Sequence, residues 1–158
     1  MLFWHIGGAI FLFRWIFRDP KVDIRLLALG ALLPDAIDLV IGALTGNPTA
    51  QRAGHSLLLP AIATAMLLLT TRRGRRRRIL MTVVVAWLFH LVLDGVWLRQ
   101  EVFLWPFFGW AWGKPPPGSI WQRAAEPWRW LKEAIGLWYL YVAFLGRWRE
   151  HAHNGPDG

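Results

Sequence analysis

Two ionisable residues, His90 and Asp94, stand four positions apart inside the apolar run ILMTVVVAWLFHLVLDGVWL. Asp35 and Asp38 make a similar pair, three positions apart, in LLPDAIDLV, and His5 and His55 belong to two further apolar stretches. Side chains at i and i+3 or i+4 project from one helix face, so each pair can grip a common partner. Ionisable groups are costly in lipid and are kept there for a partner or a function. Imidazoles with carboxylates form an N/O donor set suited to zinc or another divalent transition metal. Mutual neutralisation explains either pair alone, and an internal hydrogen bond explains a single buried histidine. The set as a whole, His5, Asp35, Asp38, His55, His90 and Asp94, points to a bound ion.

Five apolar segments, roughly 2–17, 24–44, 55–71, 79–98 and 134–146, must position these residues. Each reaches or approaches the length of about 20 residues that crosses a bilayer. The expected fold is all-α, a polytopic membrane helical bundle of four to five transmembrane helices. One domain is expected over 1–150, with a polar C-terminal tail at 151–158. At about 1.5 Å per residue from the cytoplasmic end, His5, Asp38, His55, His90 and Asp94 all fall in one layer, about 16 to 24 Å deep. Pro34 lacks an N–H and is expected to kink the second helix, freeing carbonyls near Asp35. The stretch VFLWPFFGWAW that follows the fourth segment is too short and interrupted for a crossing. It reads as interfacial or re-entrant, either covering the mouth of the site with Trp105 and Phe107 or anchoring the protein in the headgroup layer.

Composition sets the frame. Of 158 residues, 55% are hydrophobic and twelve are Trp, and the mean hydropathy is positive, which excludes an ordinary soluble domain. With no Cys, disulfides and thiolate metal sites are ruled out. The net charge of +8 is concentrated in RRGRRRR at 72–78, between two apolar runs, so it marks topology rather than a nucleic-acid partner. The 72–78 loop and the C-terminus are expected on the cytoplasmic side of a bacterial inner membrane, and the 45–54 and 99–133 regions outside. The first segment lacks a basic leader and a small-residue cleavage site, and it reads as retained.

The motifs H-x-x-G (His5 to Gly8), G-x-L-L-P-D-x-x-D (Gly30 to Asp38), R-x-x-H-S (Arg52 to Ser56), H-x-x-x-D (His90 to Asp94) and L-W-P-F (Leu104 to Phe107) together resemble the YdjM-type membrane-bound, metal-dependent hydrolases. That family is similar in its ligand order to zinc-dependent phospholipase C. The resemblance implies His5, Asp38, His55, His90 and Asp94 as ligands of one or two divalent ions, zinc above all. Gly54 stands where the third motif is expected to carry a small hydroxyl residue.

The expected function is hydrolysis of a phosphoester or lipid-like ester, with membrane lipids as neighbours and no nucleic-acid partner. His55, His90 and Asp94 would hold one ion. Asp38 would complete it or act as base, and His5 could join Asp94 around a second ion. Arg52 would bind a substrate phosphate through its planar donor fork, or serve the start of a helix. Asp35 could serve the backbone instead of metal, and Ser56 is read as a hydrogen-bonding residue, since no activating base is specified. The alternative is a small transporter or proton-relay protein with the same intramembrane His/Asp set, for which polar residues should be spread along the membrane normal.

Overall fold

The computed structural model describes residues 1–19, 22–46, 53–109 and 125–153, and among them every regular element is helical. The order is α1 (Leu2–Phe17), α2 (Ile24–Thr45), a 3-10 turn at Ala53–His55, α3 (Leu58–Thr70), α4 (Arg75–Leu93), a second 3-10 turn at Val96–Leu98, α5 (Gln100–Phe103) and α6 (Pro127–His153).

Local chemistry sets these bounds. The Asp23 side chain accepts from the Arg25 N–H at 2.9 Å and caps the start of α2. Pro60 falls in the first turn of α3, where its missing N–H costs no helical bond. The Arg-rich stretch is only partly a loop, because Arg75 to Arg78 already form the first turn of α4. Arg77 bends back to donate to the carbonyls of Leu68 and Thr71, satisfying acceptors that the end of α3 leaves open. At the other end of α4, Asp94 is the C-cap and Gly95 takes a left-handed φ of 65°. The chain therefore reverses right after Asp94, earlier than the Leu98 end expected from hydropathy. The last helix begins at Pro127 and continues through His153, so helix extends on both sides of the apolar 134–146 core and into the expected tail.

Two apolar cores lie along the bundle. Ile10, Phe13, Val22, Leu27 and Ala86 join α1, α2 and α4, with Tyr139 and Leu140 of α6 packed against them. Trp87, Leu91, Val96 and Val102 form the other, flanked by Leu33, Ile37 and Leu59, so the segment after Gly95 folds back over α4, α2 and α3. Leu57 N–H donates to the Phe103 carbonyl at 2.8 Å, which pins this strap beside the residues that follow His55.

Helices surrounded by lipid gain little from burying apolar surface against one another, so close packing and polar contacts decide which of them associate. Helices α1 and α6 meet backbone to backbone at Gly7 and Gly136, where a Cβ on either residue would collide with main-chain atoms of the other helix. Beside this crossing, Glu133 Oε2 accepts from the N–H groups of Phe3 at 2.7 Å and Trp4 at 3.1 Å. The last helix thus caps the first, which has no side-chain cap of its own at Met1.

Large apolar residues cover the outside of the bundle, including Leu39, Val40 and Leu44 on α2 and Met66 and Leu69 on α3. By length and composition one helix, Ile24–Thr45, is long and apolar enough to cross a membrane, while α1 and α3 are apolar but shorter.

Candidate metal centre

Four elements converge on one buried cluster. His5 comes from α1, Asp35 and Asp38 from α2, His55 from the first 3-10 turn, and His90 and Asp94 from the end of α4. His5, His55, His90 and Asp38 are buried, Asp94 is mostly so, and Asp35 is about half exposed, with 52% of its side chain accessible. Asp35 therefore marks the open side.

The two carboxylates of α2 are placed differently from each other. Asp38, expected among the ligands, stands behind His55: its Oδ2 accepts from His55 Nδ1 at 2.7 Å and its Oδ1 from the Gly54 N–H at 2.7 Å. Asp35, whose part in metal binding the sequence left open, faces the other side of the ring, with Oδ1 3.5 Å from His55 Nε2 and 3.7 Å from His90 Nε2. Those separations are too long for good hydrogen bonds.

Backbone chemistry fixes the second imidazole in the same way. His90 Nδ1 donates to the Ala31 carbonyl at 2.6 Å. That carbonyl is the neighbour of Gly30, whose helical donor Pro34 removes. A main-chain carbonyl accepts only, and so does an ionised carboxylate, so Nδ1 carries the hydrogen on both His55 and His90. In the neutral rings each Nε2 is then a lone pair, and the two Nε2 atoms face each other at 3.2 Å.

Asp94 closes the cluster from the α4 end. Its Oδ2 is 3.4 Å from His55 Nε2 and its Oδ1 3.0 Å from His5 Nε2. The His5 ring stacks on His90, with centroids 4.0 Å apart. Trp4 Nε1 reaches the Leu93 carbonyl at 3.4 Å, tying the α1 residue before His5 to the α4 residue before Asp94. Two donor groups result, His5–His90–Asp94 and Asp35–His55–His90, each with its ligand atoms within 4.8 Å of one another. They share His90. Such groups could hold a metal ion.

Gly54 explains a departure noted in the sequence. A Cβ there would collide with the Pro34 carbonyl and lie 2.9 Å from Asp38 Oδ1, so no side chain fits while the Gly54 N–H holds Asp38. The Gly54 carbonyl in turn accepts from Trp87 Nε1 at 2.8 Å. Sequence reasoning missed Gly54, Ala31 and Trp87 as parts of the site, although Pro34 hinted at a free carbonyl nearby. Ser56 is fully buried and closes its own turn, its hydroxyl donating to the Ala53 carbonyl at 2.8 Å. Trp105 is half-buried in the turns after α5, while Phe107 is exposed. Arg52 and the Pro-rich stretch at 115–117 lie outside the described residues.

An all-helical chain with an apolar exterior and an inward-facing His/Asp cluster has the make-up of a helical membrane protein with a candidate metal centre. The YdjM inner membrane protein family model matches residues 2–152, and the chain belongs to that family. No curated protein and no solved structure matches it.

Proposed function

We propose that the protein is a metal-dependent hydrolase of a phosphoester or lipid-like ester, built as a bundle whose helices cross the inner membrane several times. The observation that carries the metal is the His55–His90 pair. Two Nε2 lone pairs 3.2 Å apart repel unless a metal ion or a shared proton lies between them. With Zn–N near 2.0 to 2.1 Å, two tetrahedral ligands stand roughly 3.3 Å apart, which matches this spacing. Asp35 Oδ1 lies 3.5 Å from His55 Nε2 and 3.7 Å from His90 Nε2, so His55, His90 and Asp35 form the donor set for one ion, with Asp94 Oδ2 beside it at 3.4 Å from His55 Nε2. His90 Nε2 has one lone pair and serves one ion only. A second would rest on His5 and Asp94.

A divalent ion supplies, when bound, activation of water at neutral pH and polarisation of the scissile oxygen. The chain's own residues do the rest. Asp38 and the Ala31 carbonyl hold both imidazoles in the tautomer that presents Nε2. Asp35, at the open side, is the carboxylate that can meet substrate or take a proton, whereas Asp38 is buried behind a ring and acts as a positioning residue.

The test is metal content together with turnover. Purified protein should carry about one zinc per chain and hydrolyse a phosphoester lipid in a chelator-sensitive way. His55→Ala and His90→Ala should lose both, whereas His151→Ala should keep both. Zinc uptake should weaken as pH falls, because protons compete for the imidazole lone pairs. Equal metal content in all variants would defeat the reading. A proton held between His55 and His90 would also relieve the Nε2 contact, and this supports proton relay as the second reading. It predicts no stoichiometric zinc, and proton flux in liposomes that is lost in His90→Ala.

A further inference from the structure

A cavity of about 340 Å³ lies between α1 and α6, and it is lined by Trp4, Gly8, Leu12, Leu93, Gly136 and Tyr139 among others, with no charged side chain. The volume is at the small end of the range for ligand sites. Gly7 and Gly136 bring the two helices together, and Gly8 leaves a trough floored by Leu93. The rim residues Phe11, Ile135 and Trp138 are exposed, so the trough opens sideways, where a membrane protein meets its lipids. From Trp4 to Leu12 it follows about 12 Å of helix.

One end is not apolar. Lys132 Nζ lies 5.5 Å from the centre of the Trp4 ring, and Lys132 is one turn before Gly136 on the same face of α6. Trp4 and Leu93, which line this groove, are the chain neighbours of His5 and Asp94, whose side chains are 3.0 Å apart in the metal cluster. A molecule lying in the groove therefore has an apolar wall along its length, the Lys132 cation and the Glu133 carboxylate near the Trp4 end, and in Trp4 and Leu93 two wall residues next in sequence to candidate ligands.

We infer that the α1–α6 groove holds one acyl chain of an anionic phospholipid, with its phosphate at Lys132 and its headgroup linkage directed to the His5–Asp94 side of the cluster. As the identity of the substrate, this rests on the hydrolase reading. As a lipid site, it is tested without turnover.

The probe is a phosphatidylglycerol carrying a photoreactive diazirine at one acyl-chain end, incorporated with the full-length protein into nanodiscs. Irradiation should place adducts on Leu12, Phe11 or Tyr139 in preference to Val40 and Leu69, which face outward elsewhere. A second probe with the diazirine beside the phosphate should label Trp4 or Lys132. Leu12→Trp should abolish the groove adducts, with helix content and elution checking its fold. Lys132→Glu, at the rim, should cut labelling by phosphatidylglycerol about fivefold, and by clearly more than labelling by the matching phosphatidylcholine probe, whose choline offsets its phosphate charge. Equal labelling of the groove, Val40 and Leu69 would mean annular lipid only and overturn the proposal, as would adducts indifferent to Lys132→Glu. Zinc content reads the centre separately: groove adducts in a protein that binds no zinc leave the lipid site standing and remove the hydrolase.

Discussion

At the scale of single residues, the two carboxylates of α2 should behave as opposites. Asp38→Asn keeps the shape but offers His55 Nδ1 a weaker acceptor, so zinc affinity should fall by about 10- to 100-fold with stoichiometry retained at saturating metal. Asp35→Ala removes a donor from the open side and should lower affinity while leaving the His55 ring in place. A chelator-competition titration of both variants, with the ring environment followed by NMR of labelled histidine, separates the roles. If Asp38→Asn leaves affinity unchanged, its contact with His55 is structural only. The sequence made the ionisable set legible because each member interrupts an apolar run. The family resemblance favoured Asp38 over Asp35 as ligand, but spacing alone does not separate them, since both lie on one face of α2 and the choice depends on where the 53–55 turn puts His55. That turn is set by Gly54 against Pro34 and by Trp87 on another helix, contacts no local pattern encodes.

Among elements, the α1–α6 crossing should govern the site although α6 supplies no candidate ligand. Gly136→Leu forces the helices apart at Phe3 and Trp4. It should cost at least about 1–3 kcal/mol, the usual range for overpacking. Glu133→Ala, which removes the cap on α1 together with a 3.9 Å ion pair to the Met1 amine, should cost about 1 kcal/mol. Thermal unfolding in detergent gives the order, and a Gly136→Leu protein as stable as the parent would show that the crossing is not formed. Hydropathy located the helices because apolar runs are what lipid-facing and core-facing surfaces both require. It misjudged their ends for identifiable reasons: Arg75 to Arg78 are helical because polar residues continue a helix as readily as apolar ones, and α4 stops at Leu93 because Asp94 and Gly95 form its cap and turn. Likewise, Glu133 reads as a loop charge until α1 is seen to lack a cap.

For the whole molecule, the expected arrangement places the Arg-rich turn and the 45–54 loop on opposite sides of the inner membrane. Reporter fusions at Gly74 and Asn47 should therefore give opposite outcomes, and identical outcomes would remove the several-crossing bundle. The cap on α1 spans 130 positions, from Phe3 to Glu133. Synthesised at about 5–20 residues per second, the chain exposes its first histidine on the order of ten seconds before the helix that steadies it exists. During that interval His5 sits on an untethered helix while His55, His90 and both aspartates of α2 are made in turn. Ion capture on the ribosome would then begin with the α2–α4 half of the cluster, and α1 would be locked against it by the last helix to be translated.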